Sequence, residues 1–122
     1  MKPILASQIG MNATERKYCE MLSLRKAAGE IVDYVWEPMQ LVLTHNIKGR
    51  RNRMTYTPDF LIVTPERFEL HEIKAGWKKG GKIVTGWRGD AKEKLKMASE
   101  MFPWFRFICV TLKGKKWVYE EF

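Results

Sequence analysis

Short apolar runs that recur along the chain predict most of its strands. Residues 57–63 end in an unbroken apolar run, and residues 68–74 alternate between apolar and polar side chains. A turn-like Thr-Pro-Glu-Arg segment separates the two stretches, so we expect them to pair as an antiparallel hairpin. The same patterning predicts four further strands, at residues 31–36, 40–45, 104–112 and 116–122.

Start and stop signals mark two helices. Asn12 followed by Glu15 has the pattern of a capping box, and the helix it begins should run to the terminating residue Gly29. Asp90 is the expected N-cap of a second helix, which ends before Pro103. The element order is then α-β-β-β-β-α-β-β. It predicts the α/β fold class, with a central mixed β-sheet flanked by helices.

Three charged residues are expected to converge on the central hairpin. Side chains alternate along a strand, so Glu72 and Lys74 leave the backbone on one face, and Asp59 can lie beside Glu72. Two carboxylates are hard oxygen ligands that suit Mg²⁺ or Mn²⁺. The alternative is a surface salt bridge between Glu72 and Lys74, with Asp59 a turn residue after Pro58.

Glu15 is a third carboxylate with two open interpretations. It lies on the helix face that carries an apolar stripe of Tyr18, Cys19 and Leu22, which makes it a candidate inward-facing ligand. The local alternative is that its carboxylate turns back to cap the helix.

The pattern Pro58-Asp59, then Glu72-Ile73-Lys74, resembles the signature of the PD-(D/E)XK nuclease superfamily. The chain looks most similar to the small phage and prophage nuclease-like members, and also resembles the endonuclease subunit of some transposition systems. The resemblance implies a restriction-endonuclease-like core. It also implies that Asp59, Glu72 and the Ile73 carbonyl bind the metal, with Glu15 as an extra ligand. Lys74 would then position or activate the attacking water.

The charge of the chain points to a polyanionic partner. Lysines and arginines number 22 against 14 acidic residues, a net charge of +8, which favours nucleic acid. The alternative is charge that serves solubility alone. One cationic cluster lies between two predicted strands and consists of Lys48, Arg50, Arg51 and Arg53.

A second cationic stretch, residues 75–89, combines five glycines with two tryptophans and is expected to be a flexible loop facing the substrate. Trp77 and Trp87 could stack on bases, or the stretch could be a surface hairpin whose tryptophans fold back onto the core. Its expected nucleic-acid-binding residues are Lys78, Lys79, Lys82 and Arg88. The resemblance implies that a basic residue of the following helix lies near the scissile phosphate. Lys92, Lys94 and Lys96 are all candidates, and the sequence does not choose among them.

Length and composition limit the remaining possibilities. The 122 residues suit a single domain, 1–122, with residues 1–11 as a loosely ordered lead-in. The longest apolar runs are four residues, against about 20 for a spanning helix, so no membrane segment is expected. Two cysteines without metal-ligand spacing favour a reducing interior. We therefore expect a cytoplasmic protein, with a phage or prophage origin suggested by the resemblance.

These observations together predict a metal-dependent nuclease that hydrolyses phosphodiester bonds in DNA as an endonuclease, with branched or junction DNA as one attractive substrate. RNA is not excluded, and a homodimer is left open because two strands are most simply engaged by two copies. The alternative is a nucleic-acid-binding module that keeps the fold without cutting. A third reading is an assembly factor whose cations meet an acidic protein.

Overall fold

The computed structural model describes residues 8–44 and 54–122. In this part of the chain there are two helices and eight strands. In chain order they are α1 (Ala13–Ala27), β1 (Asp33–Trp36), β2 (Leu41–Val42), β3 (Thr55–Tyr56), β4 (Phe60–Val63), β5 (Phe68–Lys79), β6 (Lys82–Thr85), α2 (Ala91–Met101), β7 (Arg106–Lys113) and β8 (Lys116–Glu121).

Five strands form one mixed sheet in the order β1-β4-β5-β7-β8. The β4–β5 hairpin is antiparallel, as its tight turn predicts, and α2 carries the chain across so that β7 runs parallel to β5. Strand β6 pairs with the far end of β5, and β2 and β3 form a separate two-stranded ladder. The predicted α/β class and mixed sheet are confirmed, with β3 and β6 added to the predicted strands.

The two helices cover opposite faces of the sheet. Residues of α1 such as Tyr18 and Leu22 share a buried cluster with Ile73. Residues of α2 such as Leu95 share another cluster with Leu70. Because Leu70 and Ile73 are three apart on β5, their side chains point to opposite faces. Both faces of β5 are therefore covered near its middle.

The start and end of α1 follow the sequence prediction. Asn12 is the N-cap, and its side chain and that of Glu15 exchange the two hydrogen bonds of a capping box. Gly29 adopts φ +78°, the left-handed conformation expected after a helix end.

The second helix begins differently from the prediction. Asp90 occupies the N-cap position, but its side chain makes no capping hydrogen bond. Its backbone, at φ −95° and ψ 15°, is outside the extended region that aims an N-cap side chain at the first turn. The carboxylate lies instead 3.9 Å from Lys94 Nζ.

The prediction of a flexible loop at residues 75–89 is wrong, and this stretch forms the hairpin that was the alternative. β5 continues to Lys79, and β6 returns beside it. A Cβ at Gly76 would lie 2.5 Å from the Ile83 side chain, and one at Gly86 would lie 2.8 Å from the Ala75 carbonyl. These two glycines allow close packing within the hairpin rather than flexibility.

The cationic cluster predicted at Lys48, Arg50, Arg51 and Arg53 lies outside the described residues, as does most of the lead-in. In the described part of the chain, neither helix has the length and apolar content needed to cross a bilayer.

Candidate active site

The end of the β4–β5 ladder places Asp59 beside Glu72. Phe60 pairs with His71 at the last step of that ladder, so the next two residues, Asp59 and Glu72, face each other just beyond it. The Ile73 backbone N–H donates to Asp59 Oδ2 at 2.7 Å and fixes that carboxylate. The structure thus brings together the two carboxylates that the sequence pattern selected.

Lys74 lies next to Glu72 on the same face. Its Nζ is 3.3 Å from Glu72 Oε1, and both side chains are mostly buried. The other Glu72 oxygen, Oε2, accepts a hydrogen bond from the Tyr56 hydroxyl at 2.6 Å. Glu72 is therefore held from two sides.

Glu15 is at once the cap of α1 and an inward-facing carboxylate. Its Oε1 accepts the Asn12 N–H at 3.0 Å, and its Oε2 accepts the Trp36 indole N–H at 3.2 Å. The residue is only 7% exposed. Its negative charge also raises the pKa of Asp59. The two interpretations of Glu15 are therefore compatible.

Glu15, Asp59 and Glu72, together with Lys74, are called the carboxylate cluster below. Burial, followed by the negative charges of Glu72 and Glu15, raises the pKa of Asp59 to about 9, although the hydrogen bond from the Ile73 N–H opposes the shift. Burial also raises the pKa of Glu72, against the opposing effects of Tyr56 and Lys74. Three carboxylates and a single lysine leave more negative charge here than the protein compensates.

The residues present fit a hard divalent cation in their chemistry. Three carboxylates supply oxygen donors of the kind that Mg²⁺ and Mn²⁺ prefer. The Ile73 carbonyl leaves β5 on the same side as the Ile73 N–H, toward Asp59 and past the last β4 pair. In the described residues, however, no three acidic, histidine or cysteine side chains have the arrangement of a preformed metal centre.

A groove of about 430 Å³ lies between the start of α1 and the β5–β6 hairpin, with Lys74, Trp77 and Arg88 among its lining residues. The Arg88 guanidinium lies 5.1 Å from the centre of the Trp77 ring, and Lys74 Nζ lies 5.5 Å from that of Trp87. Trp77 remains 44% exposed, whereas Trp87 packs on Phe122. Only Trp87 therefore folds back onto the core.

The predicted nucleic-acid-binding residues within the described chain are distributed along the hairpin and α2. Lys78, Lys79, Lys82 and Arg88 are all exposed, around the hairpin tip and at its exit. On α2, Lys92 and Lys94 are partly exposed and Lys96 is exposed. The hairpin thus presents a cationic arm that begins directly after Lys74.

No protein-family model and no curated protein sequence matches this chain. One similar solved structure is described as "Crystal structure of SSO0001". It is 17% identical with a TM-score of 0.55, and the match covers 88% of this chain. This chain spans about half of that structure, 48% of its length. At this identity the similarity establishes the fold alone.

Two site residues were not selected by the sequence pattern. Tyr56 bonds Glu72, and Trp36 bonds Glu15. Tyr56 lies on β3, outside the main sheet, so no strand alternation relates it to Glu72. The one available signal was chemical: buried Tyr and Trp need a partner for their polar atom.

A second polar cluster, partly buried, is centred on the same strand. Glu69 Oε1 is 3.0 Å from His71 Nε2, and His71 Nδ1 is 2.7 Å from the Tyr18 hydroxyl. Glu69 Oε2 lies 3.1 Å from Arg67 Nε and 3.5 Å from Arg106 Nη1. We call Tyr18, Arg67, Glu69, His71 and Arg106 the Glu69 cluster. His71 faces away from Glu72, as alternation predicts.

Proposed function

We propose that this protein is a Mg²⁺- or Mn²⁺-dependent nuclease that hydrolyses phosphodiester bonds in DNA as an endonuclease. One observation carries the proposal: Glu15, Asp59 and Glu72 are buried together beside Lys74, with too little positive charge nearby to balance them. Burying uncompensated carboxylates is costly, so such an arrangement is typical of a functional site.

Asp59 and Glu72 would hold the cation, with Glu15 and the Ile73 carbonyl as further ligands. When bound, the cation supplies Lewis acidity toward the phosphate and lowers the pKa of a water molecule. Lys74 would orient the attacking water or stabilise charge that develops on the phosphate. Glu15 and Glu72 already accept protein donors, but each carboxylate oxygen keeps a further lone pair that could bind the ion.

The β5–β6 hairpin would bind the nucleic acid. Its exposed Lys78, Lys79 and Lys82 suit the phosphate backbone, and the exposed face of Trp77 is available for stacking on a base. The groove between this hairpin and α1 opens beside Lys74. We propose that the scissile strand follows this groove, and that branched DNA, whose branch point interrupts the continuous stacked helix, is a preferred substrate.

A non-catalytic nucleic-acid-binding module is the second candidate. It is favoured by the fact that both oxygens of Glu15 and both of Glu72 already have protein partners. Such a module would bind DNA with steep salt dependence and would need no divalent cation.

A titration of Mg²⁺ and Mn²⁺ distinguishes the two. Plasmid, linear duplex, single-stranded and four-way-junction DNA are incubated with wild-type protein and with Asp59→Asn. We expect cleavage that requires the cation, is strongest on the junction, and falls at least about 100-fold in Asp59→Asn. Single-stranded and duplex RNA run in parallel would define the sugar preference.

The matched control is Asp33→Asn. Asp33 is an aspartate on β1 whose carboxylate bonds Lys26 and is half exposed, so its loss should leave cleavage unchanged. Cation-independent DNA binding without cleavage by the wild-type protein would favour the binding module. Cleavage that Asp59→Asn leaves intact would remove the carboxylate cluster from the mechanism.

A further inference from the structure

The outer edge of β8 is an unpartnered interaction surface. β8 pairs with β7 on one side, and no other described strand pairs with its far side. Its six residues present backbone donors and acceptors along that edge. Val118 and Tyr119 are 40% and 48% exposed there. An edge of this length can take up another strand.

The order of charges along this strand selects its partner. Lys115 and Lys116 stand at one end, Glu120 and Glu121 at the other, and three apolar residues lie between them. An antiparallel copy of the same strand sets each positive end against a negative end, whereas a parallel copy sets like charges together. We propose that β8 pairs antiparallel with β8 of a second copy of this chain, about a twofold axis at Val118.

The backbone limits the registers available to such a pair. Lys116 pairs with Lys113 across the hairpin turn, and the Phe122 N–H bonds the Phe107 carbonyl at 2.9 Å. Backbone groups of the even-numbered residues of β8 therefore face β7. Those of Trp117, Tyr119 and Glu121 face the open edge. A symmetric antiparallel pair must consequently be centred on a residue, not between two residues.

Among these registers, the one centred on Val118 matches chemistry at every position. It sets Lys116 opposite Glu120 of the second copy, Trp117 opposite Tyr119, and Val118 opposite itself. Moving the centre to Tyr119 sets Val118 opposite Glu120, and moving it to Trp117 sets Lys116 opposite Val118. Opposite-charge, aromatic and β-branched cross-strand pairs all favour the first register.

The other edge of the sheet lacks these features. β1 has four residues, and its one charged side chain, Asp33, is bonded to Lys26. Charged residues on an edge can also serve to keep strands apart. Self-complementary order is what distinguishes attraction from repulsion here. If the proposed nuclease function also holds, the dimer carries two active sites on one particle, one for each strand of a duplex.

Charge exchange tests the register directly. Lys116→Glu and Glu120→Lys are made as separate variants, and dimerisation is measured by sedimentation equilibrium without DNA. Each single variant sets like charges together twice in its own dimer, so its dissociation constant should rise about tenfold. Mixing the two variants restores opposite charges at both positions. The mixture should form heterodimers with near-wild-type affinity, and so should homodimers of the double variant.

Lys96→Glu and Glu100→Lys on α2 make the same charge changes at the same four-residue spacing between exposed positions, and they should leave association unchanged. A wild-type protein that stays monomeric up to about 1 mM would overturn the proposal. Dimers that the β8 variants do not weaken, or mixtures that fail to regain affinity, would overturn it equally. None of these outcomes depends on cleavage, so the test is independent of the nuclease proposal.

Discussion

Strand β5 carries one buried and one partly buried polar cluster, which differ in how their charges are balanced. In the Glu69 cluster, one carboxylate faces two arginines and a histidine whose other nitrogen bonds Tyr18. In the carboxylate cluster, three acids face one lysine. The first arrangement is satisfied by the protein alone, and we interpret it as structural. The second has more acidic groups than the protein's own cations can balance, and a bound cation would supply the missing positive charge.

The same substitution at two positions of β5 should give the largest difference between the clusters, in the cleavage rate. Glu72→Gln removes a proposed ligand, and we expect cation-dependent cleavage to fall at least about 100-fold. Glu69→Gln, three residues earlier on the same strand, should leave the cleavage rate within about twofold at a temperature where it stays folded. Initial rates on junction DNA measure both. Equal losses in the two variants would mean that the clusters do not have separate roles.

These two variants should also differ in stability, with Glu69→Gln the less stable. Glu69→Gln removes the counter-charge of the partly exposed Arg67 and Arg106 and weakens the hydrogen bond to buried His71, at a cost of about 1 kcal/mol in the free energy of unfolding. Glu72→Gln removes a carboxylate whose charged form burial disfavours, so it should cost less than about 0.5 kcal/mol or stabilise the protein. Urea unfolding in chelating buffer at pH 7.5 gives both values. Equal destabilisation by the two changes would mean that the two clusters do not differ in how their charges are balanced.

The smallest of these effects concerns the cationic hairpin beside the carboxylate cluster. Replacing Lys78, Lys79 and Lys82 with glutamine should weaken DNA binding about tenfold and reduce the slope of log K against log salt by about one for each lysine that contacts a phosphate. A control that neutralises the same number of charges elsewhere uses the exposed lysines Lys17, Lys26 and Lys115. Fluorescence anisotropy over a salt series compares them. Identical slopes in the two triple variants would place the DNA elsewhere.

The sequence predicts the sheet better than it predicts the hairpin and the site's partners. The β4–β5 pairing follows from local patterns, namely a tight turn and side-chain alternation, so the approach of Asp59 to Glu72 was foreseeable. The contacts of Tyr56 and Trp36 depend on tertiary packing between elements distant in sequence, which no spacing encodes.

The prediction of a flexible loop at residues 75–89 was wrong for a physical reason. Glycines are needed both where a backbone is flexible and where another chain segment packs closely, and composition does not separate these cases. At Gly76 and Gly86 the requirement is close packing. The prediction that the Asp90 side chain caps α2 was also wrong. A capping hydrogen bond depends on a backbone conformation that the residue type alone does not fix.

The carboxylate cluster lacks the positive charge that its ionised acids would need, and the pH dependence of stability reports this deficit. The folded-state pKa of Asp59, about 9, exceeds its ordinary value of 3.8, so between these values the folded state binds the extra proton. Stability from this group is present below pH 3.8 and is lost as the pH rises toward 9, by at most about 1.4 kcal/mol per pH unit.

We therefore propose to measure the unfolding free energies of the wild-type protein and Asp59→Asn from pH 6 to 9, in chelating buffer and with Mg²⁺. In chelating buffer, we expect Asp59→Asn to become progressively more stable than the wild type as the pH rises. Added Mg²⁺ should then stabilise the wild type selectively, most strongly at high pH. A difference in unfolding free energy that stays constant with pH, together with no selective effect of Mg²⁺, would contradict cation binding by the carboxylate cluster.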